Sequence, residues 1–229
     1  MSKCRFYLLL IALCGFQMLF AKDDVSYNLS RALESLKDRD YNSAQEYVKK
    51  ELEDNPKNAE AYLVYSNIAF MTKEYNLTDE YAEKALSLFS KKEYENKMAA
   101  YMLLWNSSLQ RGDTTTALKY IDNTLALKLT NTRMSDVYID KASVLYDMKK
   151  WKESKSMYQK AVALDAENTV GYYGSSLCSI EEKLYDEALD NLNKCIYLVK
   201  NSYIYYYKRA EVYLIQKQLI LQLNLRSLK

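Results

Sequence analysis

Through most of the chain, apolar residues recur three and four positions apart, and short polar breaks interrupt them. From Ala59, residues Tyr62, Tyr65, Ala69 and Phe70 fall on one helical face. Lys73-Glu74 ends that run, and Tyr81, Ala85, Leu86 and Leu88 set up another. Breaks of turn character return at Asn55-Pro56-Lys57-Asn58, Arg111-Gly112-Asp113 and Asp165-Ala166-Glu167-Asn168. The Asn and Asp side chains there are placed to cap the next helix, and Pro56, with no N–H to give, ends the one before. The pattern predicts pairs of helices joined by tight turns.

The pairs repeat in register. Tyr41, Tyr75, Trp151 and Tyr185 each precede a polar step and a small residue, with Thr114 at the remaining position. A second column is Tyr62, Tyr101, Tyr138, Tyr172 and Tyr206, at steps of 39, 37, 34 and 34 residues. A third is Ala44, Thr78, Ala117, Ser154 and Ala188. A fourth is Ala85, Thr124, Ala161 and Cys195, with Glu51 the outlier in the first repeat. Small residues suit the points where two helices cross at close range. The aromatic before each second helix fills the wedge beside that crossing.

Composition narrows the choice further. The 229 residues hold 4 Gly and 1 Pro, against averages of about 7% and about 5%, so a turn-rich sandwich or barrel is excluded. Hydrophobic residues make up 49% and charged residues 27%, which is a chain with a core and not a disordered one. There is no His, which removes the usual general base and the commonest metal ligand. Phosphate-binding loops, dinucleotide loops, paired-cysteine metal spacings and nucleophile elbows are missing as well. The carboxylate pairs Asp23-Asp24, Glu181-Glu182 and Glu93 with Glu95 read as solvated surface or helix ends. No catalytic residue, cofactor or metal is expected.

The unit from Asn58 to Phe89 carries Tyr62, Ser66, Tyr75, Thr78, Ala85 and Leu88. The unit from Ser135 to Asn168 carries Tyr138, Ala142, Trp151, Ser154, Ala161 and Asn168, and the next carries Tyr172, Ser176, Tyr185, Ala188, Cys195 and Leu198. This series resembles the tetratricopeptide repeat, with about five full repeats and an incomplete sixth. It departs from the pattern at Trp105, where a small residue belongs, and in the first unit, where Leu29, Ala32, Leu33 and Leu36 carry the stripe without a leading aromatic. The resemblance implies an all-α fold, a right-handed superhelical solenoid of antiparallel helix pairs, spanning residues 22–217. It also implies a concave groove lined by the first helix of each pair. Residues on that stripe are Leu63, Asn67 and Phe70; Met102, Asn106 and Leu109; Ile139, Ser143 and Tyr146; Tyr173 with Leu177 and Ile180; and Tyr207, Glu211 and Leu214. Family members that clamp a terminal carboxylate carry Lys at the place of Leu63. Here Leu63, Met102, Ile139, Tyr173 and Tyr207 are all uncharged, so an apolar or aromatic ligand surface is expected.

The two ends read differently. Lys3 and Arg5 precede an uncharged apolar run from Phe6 to Phe20, closed by Ala21, so residues 1–21 are expected to be a signal peptide. Retention as an anchor, or lipidation at Cys14, are the alternatives. Without residues 1–21, the basic residues fall from 32 to 30 against 30 acidic ones. A neutral chain favours no nucleic acid, and the basic clusters Lys91-Lys92 and Lys149-Lys150-Trp151-Lys152 read as surface charge beside aromatics. Cys178 and Cys195 either pair or stand as two small buried side chains. After Lys217 the repeat pattern fails, and Leu219, Leu221, Leu223 and Leu225 alternate, so residues 218–229 are expected to form an irregular tail: an incomplete last repeat, or one covered by a partner. The expectation for the whole is an exported, non-catalytic protein-interaction scaffold binding a protein or peptide in the groove, in the periplasm or cell envelope if bacterial. Its alternatives are an accessory subunit of an envelope enzyme or assembly complex and, more remotely, an RNA-binding helical repeat.

Overall fold

The computed structural model describes residues 25–227, so the expected signal peptide and Cys14 lie outside the described residues. Eleven helices, and no strand, make up the described residues. They are α1 (Tyr27–Lys37), α2 (Tyr41–Asp54), α3 (Ala59–Met71), α4 (Tyr75–Leu88), α5 (Tyr94–Gln110) and α6 (Thr114–Leu125). After these come α7 (Asn131–Asp147), α8 (Trp151–Leu164), α9 (Thr169–Glu181), α10 (Tyr185–Leu198) and α11 (Tyr203–Ser227). The chain divides into two compact units, one ending at Leu129 and one beginning at Thr130.

In unit one the hairpins are α1–α2, α3–α4 and α5–α6. Each second helix also packs on the next first helix, and α3 touches both α1 and α5. In unit two α7–α8 and α9–α10 pair in the same way, α8 packs on α9, α7 touches α9, and α11 packs on α10. Within each unit the arrangement is therefore that of a helical-hairpin solenoid.

The small-residue column sits at the helix crossings as its chemistry requires. Ala44, Thr78, Ala117, Ser154 and Ala188 are all fully buried. Hydroxyls there serve backbone carbonyls across the crossing: Ser66 Oγ donates to Thr78 O at 2.7 Å, and Ser154 Oγ to Ala142 O at 2.7 Å. Glu51 stays buried in its column because Ser26 Oγ and Asn58 Nδ2 both donate to its carboxylate, the latter at 2.7 Å. Trp105 is also buried, so the third repeat takes up the large ring in its core.

All five hairpin turns share one geometry. Arg39, Lys73, Gly112, Lys149 and Lys183 each have a positive φ, between 60° and 81°. In each turn two successive N–H groups reach back to the ending helix, as in Lys73 N to Phe70 O and Glu74 N to Ala69 O. The expected caps are in place: Asn58 accepts from Ala61 N, Asp113 from Thr116 N, and Asn168 from Val170 N and Gly171 N.

One expectation at the C-terminal end changes. The backbone stays helical through Ser227, so the segment from 218 to 227 is not irregular. A break read from alternating leucines does not occur, because no Gly or Pro lies between Lys217 and Ser227 to stop the helix. Tyr203, Tyr206, Tyr207, Tyr213 and Leu214 on this helix are exposed. Cys178 and Cys195 are both free and buried. Burial pushes their thiols up to about 11 and about 12.

Candidate functional site

The first-helix stripe separates into residues the core takes and residues left at the surface. In unit one Leu63 is fully buried in a cluster with Ala82, Ala85, Ala100 and Leu104, so it does not line a groove, contrary to what the resemblance implies. The alanines of α4 and α5 let these helices close over it. Asn67 is likewise buried. Phe70 is half-buried, its ring 5.9 Å from that of Tyr75. Met102, Asn106 and Leu109 are half-buried on α5. Asn106 Nδ2 donates to Met102 O at 2.9 Å, so part of its amide is spent on its own helix.

In unit two Ile139 joins the core with Ala142, Tyr158, Ala161 and Cys178, a second departure from the expected lining. Ser143 Oγ lies 3.2 Å from the Tyr158 hydroxyl. Tyr146 is half-buried, with its ring 5.0 Å from Trp151, and its hydroxyl donates to Glu181 Oε1 at 3.3 Å. That bond ties the stripe of α7 to the end of α9. Tyr173 on α9 meets Tyr205 on α11, ring centres 5.5 Å apart. Beyond it Tyr207 is 69% exposed and Leu214 61% exposed. Each of the three first helices of this unit thus carries a tyrosine on this stripe, with α9 in contact with both α7, through Glu181, and α11, through Tyr173. The chemistry such a surface offers is apolar and aromatic contact with a few hydroxyl and carboxylate groups, which suits a polypeptide segment.

Solved structures share this architecture. The C-terminal part of a TPR repeat-containing protein from Cytophaga hutchinsonii matches with a TM-score of 0.71 at 18% identity, over 82% of this chain and 70% of that one. YrrB, described as a TPR protein with an unusual peptide-binding site, matches at 0.61 and 16% identity, over 87% of this chain and 99% of the other. PilW, described as a widely conserved type IV pilus biogenesis factor, matches at 0.63 and 17%, over 81% and 84%. The chain has a tetratricopeptide-repeat fold. No family model and no curated protein sequence matches it, so the likeness rests on structure.

Within this tetratricopeptide-repeat fold, the columns expose a residue that the spacing had not singled out. Asp140 stands in line with Val64, Leu103 and Gly174, and all four are buried. Burial, with the Asp136 charge one turn away, pushes its carboxyl up to about 8. Reading that column across the repeats is enough to find it. Tyr81 and Tyr120 are also raised to about 12, mainly by burial, Tyr81 against Tyr65 and Tyr120 beside the Glu83 carboxylate. Among the described residues, no group of three or more His, Cys, Asp or Glu is arranged to hold a metal ion.

Proposed function

We propose that this chain is a non-catalytic protein-interaction scaffold whose first-helix stripe in unit two receives an apolar or aromatic polypeptide segment. The observation that carries the reading is that Tyr207 and Leu214, both exposed, share one face of α11 and stand in the columns of Tyr173 and Ile180. Large exposed apolar side chains grouped on one helix face are what interaction surfaces present. The solved structure of YrrB, described as having a peptide-binding site, supports the same reading. A photo-crosslinking residue placed at Tyr173 or Tyr207 tests it, with Lys160 or Lys194 as controls outside the stripe. The expected result is a discrete protein adduct at the stripe positions. Equal adducts at the controls, or none at the stripe, overturn the reading.

The proposed place of work is the cell envelope. Its support is the apolar run Phe6–Phe20 behind Lys3 and Arg5. Residues 1–30 fused to a reporter active only outside the cytoplasm test this part alone, and an inactive reporter removes it.

A further inference from the structure

Next to the Tyr146 end of the stripe, unit two holds a cleft of about 720 Å³ between two hairpin turns, lined by Lys149, Lys150, Trp151, Lys152, Glu182 and Leu184, with Glu153 beside them. Its volume is in the range of ligand-binding cavities. Both of its carboxylates are already engaged. Glu153 pairs with Lys150 at 3.6 Å, and Glu182 pairs with the mostly buried Lys155 at 2.7 Å. Lys149 and Lys152, both exposed, form no ion pair among the described residues. Between them Trp151 is half-buried, its ring held in place by Tyr146, and Leu184 across the cleft is 44% exposed. The cleft thus offers two uncompensated cations flanking an apolar floor. In unit one the residue at the place of Lys150 is acidic each time: Asp40, Glu74 and Asp113.

We infer that this cleft is a second binding site, for an acidic peptide segment whose carboxylates meet Lys149 and Lys152 while an apolar side chain between them rests on Trp151 and Leu184. Two features favour a peptide over a nucleic acid. Phosphate backbones are held by runs of cations, and here one of the three lysines, Lys150, is paired with Glu153, and Glu182 stands on the same wall. Leu184 gives an aliphatic contact that suits a side chain better than a sugar–phosphate chain. The site adjoins the stripe at Tyr146, whose ring meets Trp151, but its lining residues are other ones, and it goes beyond the function proposed for the stripe.

Trp151 supplies its own reporter, because the other tryptophan, Trp105, is buried. The full chain is titrated with three labelled probes: an end-capped octapeptide of alternating Glu and Leu, its Lys/Leu counterpart, and a single-stranded RNA octamer. Anisotropy of the label and emission of Trp151 are read together. The Glu/Leu peptide is expected to bind, to shift Trp151 emission, and to weaken as salt rises. Lys149→Glu with Lys152→Glu weakens it at least tenfold. Lys160→Glu with Lys194→Glu, two exposed lysines outside the cleft, leaves it within twofold. Trp151→Phe or Leu184→Ser weakens it at unchanged salt dependence. Tyr207→Ala, which tests the stripe, leaves it unchanged. Equal binding of the two peptides, tighter binding of the RNA, or an affinity unmoved by the double charge reversal overturns the inference.

Discussion

Tyr158 fills the space that Gly174 leaves: a Cβ built on Gly174 would lie 2.3 Å from the Tyr158 ring Cζ. Tyr158 occupies a column in which Val48, Ala82, Ile121 and Leu192 stand elsewhere, and Gly174 one that holds Val64 and Leu103. The pair is a large-for-small exchange between neighbouring repeats, and it puts the Tyr158 hydroxyl against Ser143. Gly174→Val should therefore destabilise unit two by about 1–3 kcal/mol through overpacking. Tyr158→Leu alone should cost a similar amount by leaving a void. Combined, they should recover much of the loss, and a double-mutant cycle from chemical denaturation reads that coupling.

Asp140 makes stability depend on pH in an uncommon direction. Burial pushes its carboxyl up to about 8, far above the ordinary carboxylate value of about 4, so between these two values the native state keeps a proton that the unfolded chain releases. Stability should fall as pH rises from about 4 to about 8, and then level off. Asp140→Leu, which restores the residue found in line at Leu103, should remove this contribution and raise stability at pH 8 by on the order of 2 kcal/mol or more. Urea midpoints of both proteins at pH 5 and pH 8 check the sign. A larger gain at pH 5 than at pH 8 would refute it.

Gly112 has no atom within 4 Å of where a Cβ would stand, yet its φ is 81°. Gly112→Ala should cost about 1 kcal/mol from backbone strain alone, with no change in packing. Lys73→Gly, at a φ of 65°, should be neutral or stabilising. Thermal melts of the two variants should move in opposite directions or leave Lys73→Gly unmoved.

The stripe residues divide by the same kind of measurement. Leu63→Ala removes a wholly buried side chain and should cost about 2–5 kcal/mol of stability. Tyr207→Ala removes an exposed one and should leave the melting temperature within error. At the proposed surface it should cost about 1–2 kcal/mol of partner affinity. Asn106→Ala should have a smaller effect on affinity than Tyr207→Ala, since the Asn106 amide already bonds Met102 O.

The hairpin order, the caps at Asn58, Asp113 and Asn168, and the crossings at Thr78 and Ser154 could all be read from spacing, because each is set by residues close in sequence or by a column that recurs. The fates of Leu63 and Ile139 could not. Spacing places them on one face with Phe70 and Tyr146, but whether a neighbouring helix closes over that face depends on small residues elsewhere, such as Ala82 and Ala85. The cleft was half legible: Lys149 to Lys152 stand out in the chain, while Glu182 and Leu184 reach them only through the stacking of one hairpin on the next. In α11 the lack of any helix breaker outweighs the period-two leucines, and the helix runs on to Ser227.

The positive-φ turns have a bearing on how the chain comes apart. Arg39, Lys73, Lys149 and Lys183 are all exposed and are all residues after which trypsin cuts. Once a turn opens locally, cleavage there parts the two helices of one hairpin. Cuts at Arg39 and Lys73 would release α2 with α3, a pair that also packs together in the intact protein. The fragments would then be hairpins in the opposite phase, second helix joined to next first helix, so this chain can be divided into two-helix modules in either of two frames.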